Sequence, residues 1–329
     1  MKTKPFFSLI IPVYNTEQYI ERCLISCIKQ TFKDIEIIVV DDYTQDNAMT
    51  IVQEYAKNDS RIQIIRNLKN LGVFASRLKG GKVAKGEYII YLDSDDFISM
   101  QMCQILYQTI HSHNNEGGGV LDIIGFTSEI TPKPSKSNCL ISSPLGIYQQ
   151  PELMDTVIFH WMIWNKVYHK NIIFQTIHFL DTHFQSIPKI NMAEDALNFF
   201  ILCLFSKNYY GINDILHFYF KNEKSITRDL NNLKRHKSAI LGFSQTISML
   251  KKIQDFHPLA HQKAKVIIEI LSNHRRETLY SYWSTRAKGQ KNYIGNLYRA
   301  IRATKSPKKK IIAYRKICLY LISFGFFKS

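Results

Sequence analysis

Three acidic clusters stand where side chains could do chemistry: Asp41-Asp42, Asp93-Ser94-Asp95-Asp96 and Glu194-Asp195. The first two directly follow apolar runs, residues 35–40 and 88–92. Carboxylates crowded at the end of a buried strand repel one another. A divalent cation relieves that repulsion, and hard oxygen ligands suit Mg2+ or Mn2+. Such an ion commonly shares its coordination with substrate phosphates. Asp is also a frequent cap and turn residue, and for Asp46 or Asp96 alone that plainer role is preferred. Asp41-Asp42 and Asp93-x-Asp95, each closing a strand, read together as a functional cleft.

The surrounding pattern says what must position them. Residues 7–13 are continuous and β-rich, like a buried strand. Asn15-Thr16 reads as a helix-capping pair. From Tyr19 to Gln30, Ile20, Cys23, Leu24, Cys27 and Ile28 follow the stripe of an amphipathic helix. A second strand spans 35–40, and a helix runs through Ile51, Val52, Tyr55 and Ala56. A third strand spans 62–66. Leu71-Gly72 turns into a helix over about residues 73–84 that Gly86 ends, and a fourth strand spans 88–92. Strand and helix thus alternate four times, which predicts an α/β fold: a mostly parallel sheet with helices on both faces. Ligands of such sheets bind beyond the carboxyl ends of the strands, where the acidic clusters fall. Further on, 121–127 reads as a strand, 131–144 as a loop, 194–205 as a helix and 209–219 as β-rich. After about residue 230 the chain reads as helical throughout.

Here the residues carry a family likeness. The opening Phe7-Ser-Leu-Ile-Ile-Pro-Val-Tyr-Asn15 resembles that of family 2 glycosyltransferases, which have a GT-A-type (Rossmann-like) nucleotide-sugar-binding fold. The likeness continues through Ile38-Val-Val-Asp-Asp42, Asn70-Leu-Gly-Val-Phe-Ala-Ser-Arg77 and Ala84-Lys-Gly-Glu-Tyr-Ile-Ile-Tyr-Leu-Asp-Ser-Asp-Asp96. It goes on through Trp164-Asn-Lys-Val-Tyr168 and Ala193-Glu-Asp195. It covers about residues 6–230. The resemblance implies that Pro12 and Tyr14 line the nucleobase pocket, that Asp42 contacts the base, usually uracil, and that Arg77 lies near the nucleotide. It makes Asp93-Ser94-Asp95 the DxD motif, with Asp95 the direct metal ligand and Asp93 nearer the ribose or second to the metal. Asp195 matches the general base of inverting members, and Glu194 precedes it. Trp161 and Trp164 read as an acceptor-stacking platform or as core aromatics. Lys166 reads as facing the diphosphate or acceptor, or as a solvated lysine. Ser225-Ile-Thr227 after Asn222 resembles the segment that closes over the nucleotide, or is a surface turn. Two departures stand out: Tyr43 where the family often has glycine, and Leu78 where asparagine usually follows the arginine.

These roles have a physical basis. Sugar transfer from a diphosphate builds negative charge on the leaving group, which a bridging cation stabilises. The acceptor hydroxyl loses a proton as it attacks, and a carboxylate across the cleft can take it. A single displacement inverts the anomeric carbon, and no residue for a double displacement is identified.

Charge divides the chain. Residues 231–329 carry 21 basic and 3 acidic side chains, whereas residues 1–230 carry 22 basic and 24 acidic ones. The last 99 residues therefore carry +18 and the rest −2, for a net charge of +16. The expected division is a catalytic domain, 1–230, and a basic helical C-terminal region, 231–329. Lys308-Lys-Lys310 precedes an apolar and aromatic stretch over 317–327, the composition of an interfacial helix on an anionic membrane. A helix docked on the catalytic domain is the alternative. No specific nucleic acid is expected as a partner, because no recognition fold is evident. The apolar start is short, is broken by Pro12 and reads as a strand rather than a signal peptide. No run reaches the roughly 18 apolar residues of a membrane span. The six cysteines, Cys23, Cys27, Cys103, Cys139, Cys203 and Cys318, form no CxxC pair. They read as thiols in a reducing cytoplasm. The expected activity is inverting, metal-dependent transfer from a UDP-sugar to a growing surface glycan of lipopolysaccharide or capsule type, free or lipid-linked. The expected place is the cytoplasmic face of the inner membrane. Two rivals are weighed. A nucleotidyltransferase would want a glycine-rich basic loop where this chain has Tyr14-Asn15-Thr16-Glu17. A non-catalytic nucleic-acid or membrane adaptor would not need every acidic position filled.

Overall fold

The computed structural model describes residues 4–133, 139–221, 233–257, 259–287 and 293–314. In chain order the elements are β1 (Phe7–Val13), α1 (Ile20–Ile28), β2 (Ile35–Asp41), α2 (Ala48–Asn58), β3 (Ile62–Arg66), α3 (Val73–Val83), β4 (Tyr88–Tyr91), β5 (Phe97–Ile98) and α4 (Met102–Asn115). They continue with β6 (Ile123–Thr131), β7 (Leu140–Ile141), β8 (Gly146–Gln149), α5 (Glu152–Thr156), β9 (Lys166–His169), α6 (Lys170–His183), α7 (Glu194–Phe205) and β10 (Asn208–Phe220). Last come α8 (Leu233–Ile253), α9 (Ala260–Ala287) and α10 (Tyr293–Ala303).

The chain divides into two compact units. The first holds residues 1–189 and 195–222. It is built on one sheet in the order β3-β2-β1-β4-β9-β6-β10-β5, with β7 on β6 and β8 on β10. The block β3-β2-β1-β4 is parallel. Its strands are apolar without alternation, and every residue of β1 and β4 is buried, as expected of strands covered on both faces. On α1, Cys23, Leu24 and Cys27 face a core that includes Leu9, Ile11 and Val39. Helix α3 lies close on β1: a Cβ at Gly80 would collide with Ile10. Strand β9 runs antiparallel between β4 and β6, and β10 runs parallel to β6. Cys23, Cys27, Cys103 and Cys203 are buried free thiols; Cys139 is a half-buried one, and Cys318 lies outside the described residues.

The second unit holds residues 190–194 and 223–329. Helix α8 buries Ala239, Gly242, Thr246, Leu250 and Ile253 at spacings of three and four, one apolar face of a helix. The segment 190–194 rests on it, with Thr246 Oγ1 donating to Met192 O at 3.2 Å. Leu297, Ile301 and Ala313 pack with Tyr280. Glu277 accepts from Thr304 Oγ1 at 2.8 Å and pairs with Lys309. No helix of the described residues is long and apolar enough to cross a membrane.

Several expectations about elements are corrected. Asn15 and Thr16 do not cap α1, which begins after Tyr19 without a side-chain cap. Asn15 instead turns back at φ 53° and braces the loop after β2. The strand expected at 121–127 begins at Ile123 and runs to Thr131. The stretch 131–144 contains β7, which pairs with β6. The elements β5, β8, β9, α4, α5 and α6 were not anticipated.

Candidate active site

The cleft forms at the carboxyl ends of β1, β2 and β4. Pro12 is buried opposite Val40 in the β1–β2 register. Tyr14, just past the strand, is 44% exposed. Asp41 Oδ1 caps the following turn by accepting from Thr44 N at 2.9 Å. Tyr43 adopts φ 65° there, a conformation glycine takes freely and a bulky residue takes at a cost of about 1–3 kcal/mol. Asn15 Oδ1 accepts from Gln45 N at 3.0 Å, and Asn15 N donates to Thr44 Oγ1 at 2.6 Å. Those bonds hold the turn in the shape its sequence resists.

Asp42 faces inward. It is 3% exposed and accepts from Leu71 N at 2.7 Å, Gly72 N at 2.8 Å and Asn67 Nδ2 at 2.8 Å. The carboxylate therefore organises the entry to α3, where a negative charge near a helix N-terminus is also favoured. Three protein donors thus fix the orientation of the carboxylate expected to contact a base. Helix α3 in turn delivers Arg77.

Arg77 is 2% exposed and bridges two carboxylates. Its Nη2 donates to Asp93 Oδ1 at 2.7 Å and its Nη1 to Asp195 Oδ1 at 2.5 Å. Asp93 ends the loop from β4, and Asp195 sits in the first turn of α7. Two carboxylates from distant parts of the chain thus meet through one guanidinium, itself 118 positions from Asp195. Arg77, expected near a nucleotide, clamps the acidic motif to Asp195. Asp93 and Asp195 keep side-chain exposures of 29% and 24%, so both still reach solvent. Burial pushes the Asp195 carboxyl up and the Asp93 charge adds to that, while Arg77 pulls it down. The net direction is upward, toward the range useful for a base at neutral pH. Just before this pair, Ala193 takes φ 64°.

The rest of the acidic motif divides in role. Ser94 is buried, and its Oγ accepts from Thr16 Oγ1 at 3.0 Å. Asp96 is buried and structural: Oδ1 accepts from Phe220 N at 2.7 Å and Oδ2 lies 3.3 Å from His217 Nε2. Asp95 is half-buried, and its carboxylate takes no hydrogen bond from another described residue. Burial pushes it up to about 7, reinforced by the charges of Asp96 and Asp93. Arg22 Nη2 donates to Asp95 O at 2.7 Å and stacks 3.9 Å from the centre of the Phe220 ring.

Among the described residues no group of three or more His, Cys, Asp or Glu side chains could by itself cage a metal ion. His160, His178 and His183 accordingly form no metal site. The donor set still fits a divalent cation of the kind completed by substrate phosphates and water. Asp95 would hold it, because its carboxylate is crowded by like charge and not taken by a protein donor. Asp93 has one oxygen on Arg77 and would contribute through the other.

Trp164 is core: it stacks on His217 at 4.8 Å and on Tyr219 at 5.6 Å. Trp161 remains half-buried. Lys166 is neither solvated nor turned to the cleft but wholly buried, a correction to both readings. Glu194 opens α7 and is half-buried. Ser225 lies outside the described residues. Sequence reasoning missed Arg22, Asn67 and His217, and the contact of Thr16 with Ser94. Nothing in their local pattern marks them, because each acts on a residue at least 25 positions away.

Comparison with known proteins agrees with this arrangement. The profile of the family described as glycosyl transferase family 2 matches residues 8–189. The chain is 35% identical over 176 residues to the uncharacterized glycosyltransferase EpsJ of Bacillus subtilis, covering 51% of this chain and 49% of that protein. It is 38% identical over 103 residues to the glycosyltransferase GlyG of Streptococcus pneumoniae, covering 31% and 34%. It thus spans about half or less of the curated relatives it matches. The fold is that of Staphylococcus aureus TarS crystallised with UDP-GlcNAc, with a TM-score of 0.58, 19% identity and coverage of 94% of this chain and 89% of that one. The mixed sheet with its acidic strand ends is therefore a GT-A fold, and the chain belongs to glycosyl transferase family 2.

Proposed function

We propose that this protein is an inverting glycosyltransferase that moves a sugar from a UDP-sugar to a hydroxyl of a growing surface glycan. The observation that carries the reading is the Arg77 clamp, which sets Asp195 beside the acidic motif at the end of β4. Arg77 orients one carboxylate oxygen of Asp195, and the other takes no hydrogen bond from the described residues. That free oxygen receives the proton of the acceptor hydroxyl. Tyr14 and Pro12 offer the ring-sized surface for the base. Asp95 would hold Mn2+ or Mg2+, which would supply charge neutralisation for the departing diphosphate. The uridine donor is supported by the likeness to TarS, whose structure holds UDP-GlcNAc. Turnover of a panel of UDP-sugars with Mn2+ present tests the reading, with GDP-sugars as the comparison. Transfer or hydrolysis of at least one UDP-sugar with inversion at the anomeric carbon is expected. Retained configuration would refute direct displacement.

The acceptor and location are read from the basic region. We place the protein on the cytoplasmic face of the membrane, where lipid-linked glycan intermediates are exposed. Each basic side chain near an anionic surface contributes about 1 kcal/mol, so a few suffice. Within the second unit, residues 304–313 are tied to α9 through Glu277 and Tyr280. A truncation should therefore spare them. Removal of residues 315–329, which takes the apolar and aromatic end but leaves Lys308-Lys-Lys310, is expected to weaken co-sedimentation with vesicles of anionic lipid while turnover of a soluble substrate persists. Binding should weaken as salt rises. Equal co-sedimentation of full-length and truncated protein with neutral and anionic vesicles would count against membrane contact.

A further inference from the structure

Lys166 opens β9 and has no exposed surface. A wholly buried lysine is rare unless its charge is matched. Here Nζ donates to His160 O at 2.7 Å, Met162 O at 2.8 Å and Asn165 Oδ1 at 2.7 Å. Those three oxygens use the three donors of an ammonium. Burial pulls the group down, to about 7, against the charge of Asp195, which pulls it up. Nζ also lies 4.7 Å from the centre of the Phe199 ring. Phe199 follows Asp195 by one helical turn on α7. On the other side, Ile90 pairs with Val167 in the antiparallel register. Lys166 therefore lies next to the acidic end of β4. It sits beneath the helix that carries Asp195, between two elements of the site, and does not open onto the cleft.

We propose that Lys166 is a positioning residue for Asp195, a buried ammonium under α7 that supports the carboxylate taking the acceptor proton. The inference rests on the reading of Asp195 as the base. Lys166 touches no substrate, so its loss should be felt in turnover and not in donor binding. A purely architectural role, holding the 160–165 turn, would behave differently: it would lower kcat without moving its pH profile.

The experiment compares Lys166→Met and Lys166→Gln with wild type in the full chain. UDP binding is measured by calorimetry, and kcat as a function of pH on the UDP-sugar selected by the donor panel. Lys166→Gln keeps a donor for the turn without the charge, and it carries the test if Lys166→Met does not fold. The expected result is a fall in kcat of about tenfold or more for both variants, with the UDP Kd unchanged and the acid limb of the kcat profile moved to higher pH, because Lys166 pulls the Asp195 carboxyl down. Wild-type kcat in the charge-free variants, or a loss of kcat with the acid limb unmoved, would overturn the proposal. Asp195→Asn separates this failure from that of the underlying reading. If Asp195→Asn keeps full turnover the base assignment itself falls. If it is inactive while the Lys166 variants are normal, only Lys166 is wrongly placed.

Discussion

Asp195→Asn is expected to lower kcat by roughly 10²–10⁴-fold, the span general-base catalysis supplies, and to leave UDP binding nearly intact. The substitution is close to isosteric. The amide oxygen still accepts from Arg77 Nη1, and Arg77 keeps its second partner, Asp93. Only the capacity to take a proton is lost. Asn also relieves a carboxylate that burial and the Asp93 charge push upward, so the variant should fold at least as well. Calorimetry with UDP and initial rates with the selected UDP-sugar separate the two effects. Equal losses in binding and turnover would make Asp195 a donor-site residue and leave the base unassigned.

Why some of this was legible in sequence, and some was not, follows from the range over which each residue acts. The four strands and three helices of the parallel block follow from apolar runs and stripes within windows of about a dozen residues. The acidic ends stand out because nothing apolar excuses them. Two later helices carry the same kind of signal. Met102, Cys103, Leu106 and Ile110 stripe α4, and Ile172, Ile173, Ile177 and Leu180 stripe α6. Strands β5 and β7 have two residues each, too few for any period to show. Roles decided by distant partners were hidden. That Asp42 looks inward depends on the amides at 71–72, and the burial of Lys166 depends on carbonyls of a turn with no pattern of its own. The family likeness supplied which residues matter. It did not supply which way they face.

Asp95→Ala is expected to remove cation-dependent UDP binding and to cost several kcal/mol of transition-state stabilisation, roughly 10²–10⁴-fold in rate at about 1.4 kcal/mol per tenfold. Chelator-treated wild type should match it. The fold should not suffer, and the sign can be worked out for metal-free protein. The Asp95 carboxyl stands at about 7 when folded against an ordinary value of 3.8. The folded state therefore binds more protons than the unfolded chain between those values. Stability from this group is greatest below pH 3.8 and is lost as pH rises toward 7. Above pH 7 the ionised side chain is a standing cost, because burial and the charges of Asp96 and Asp93 oppose it. Its removal should raise Tm at pH 8 in chelator and change it little at pH 4. A lowered Tm at pH 8 would mean that Asp95 is a structural turn residue. Full activity in chelator would mean that the diphosphate charge is met without a cation, leaving Arg77 as the nearest fixed positive charge on Asp93.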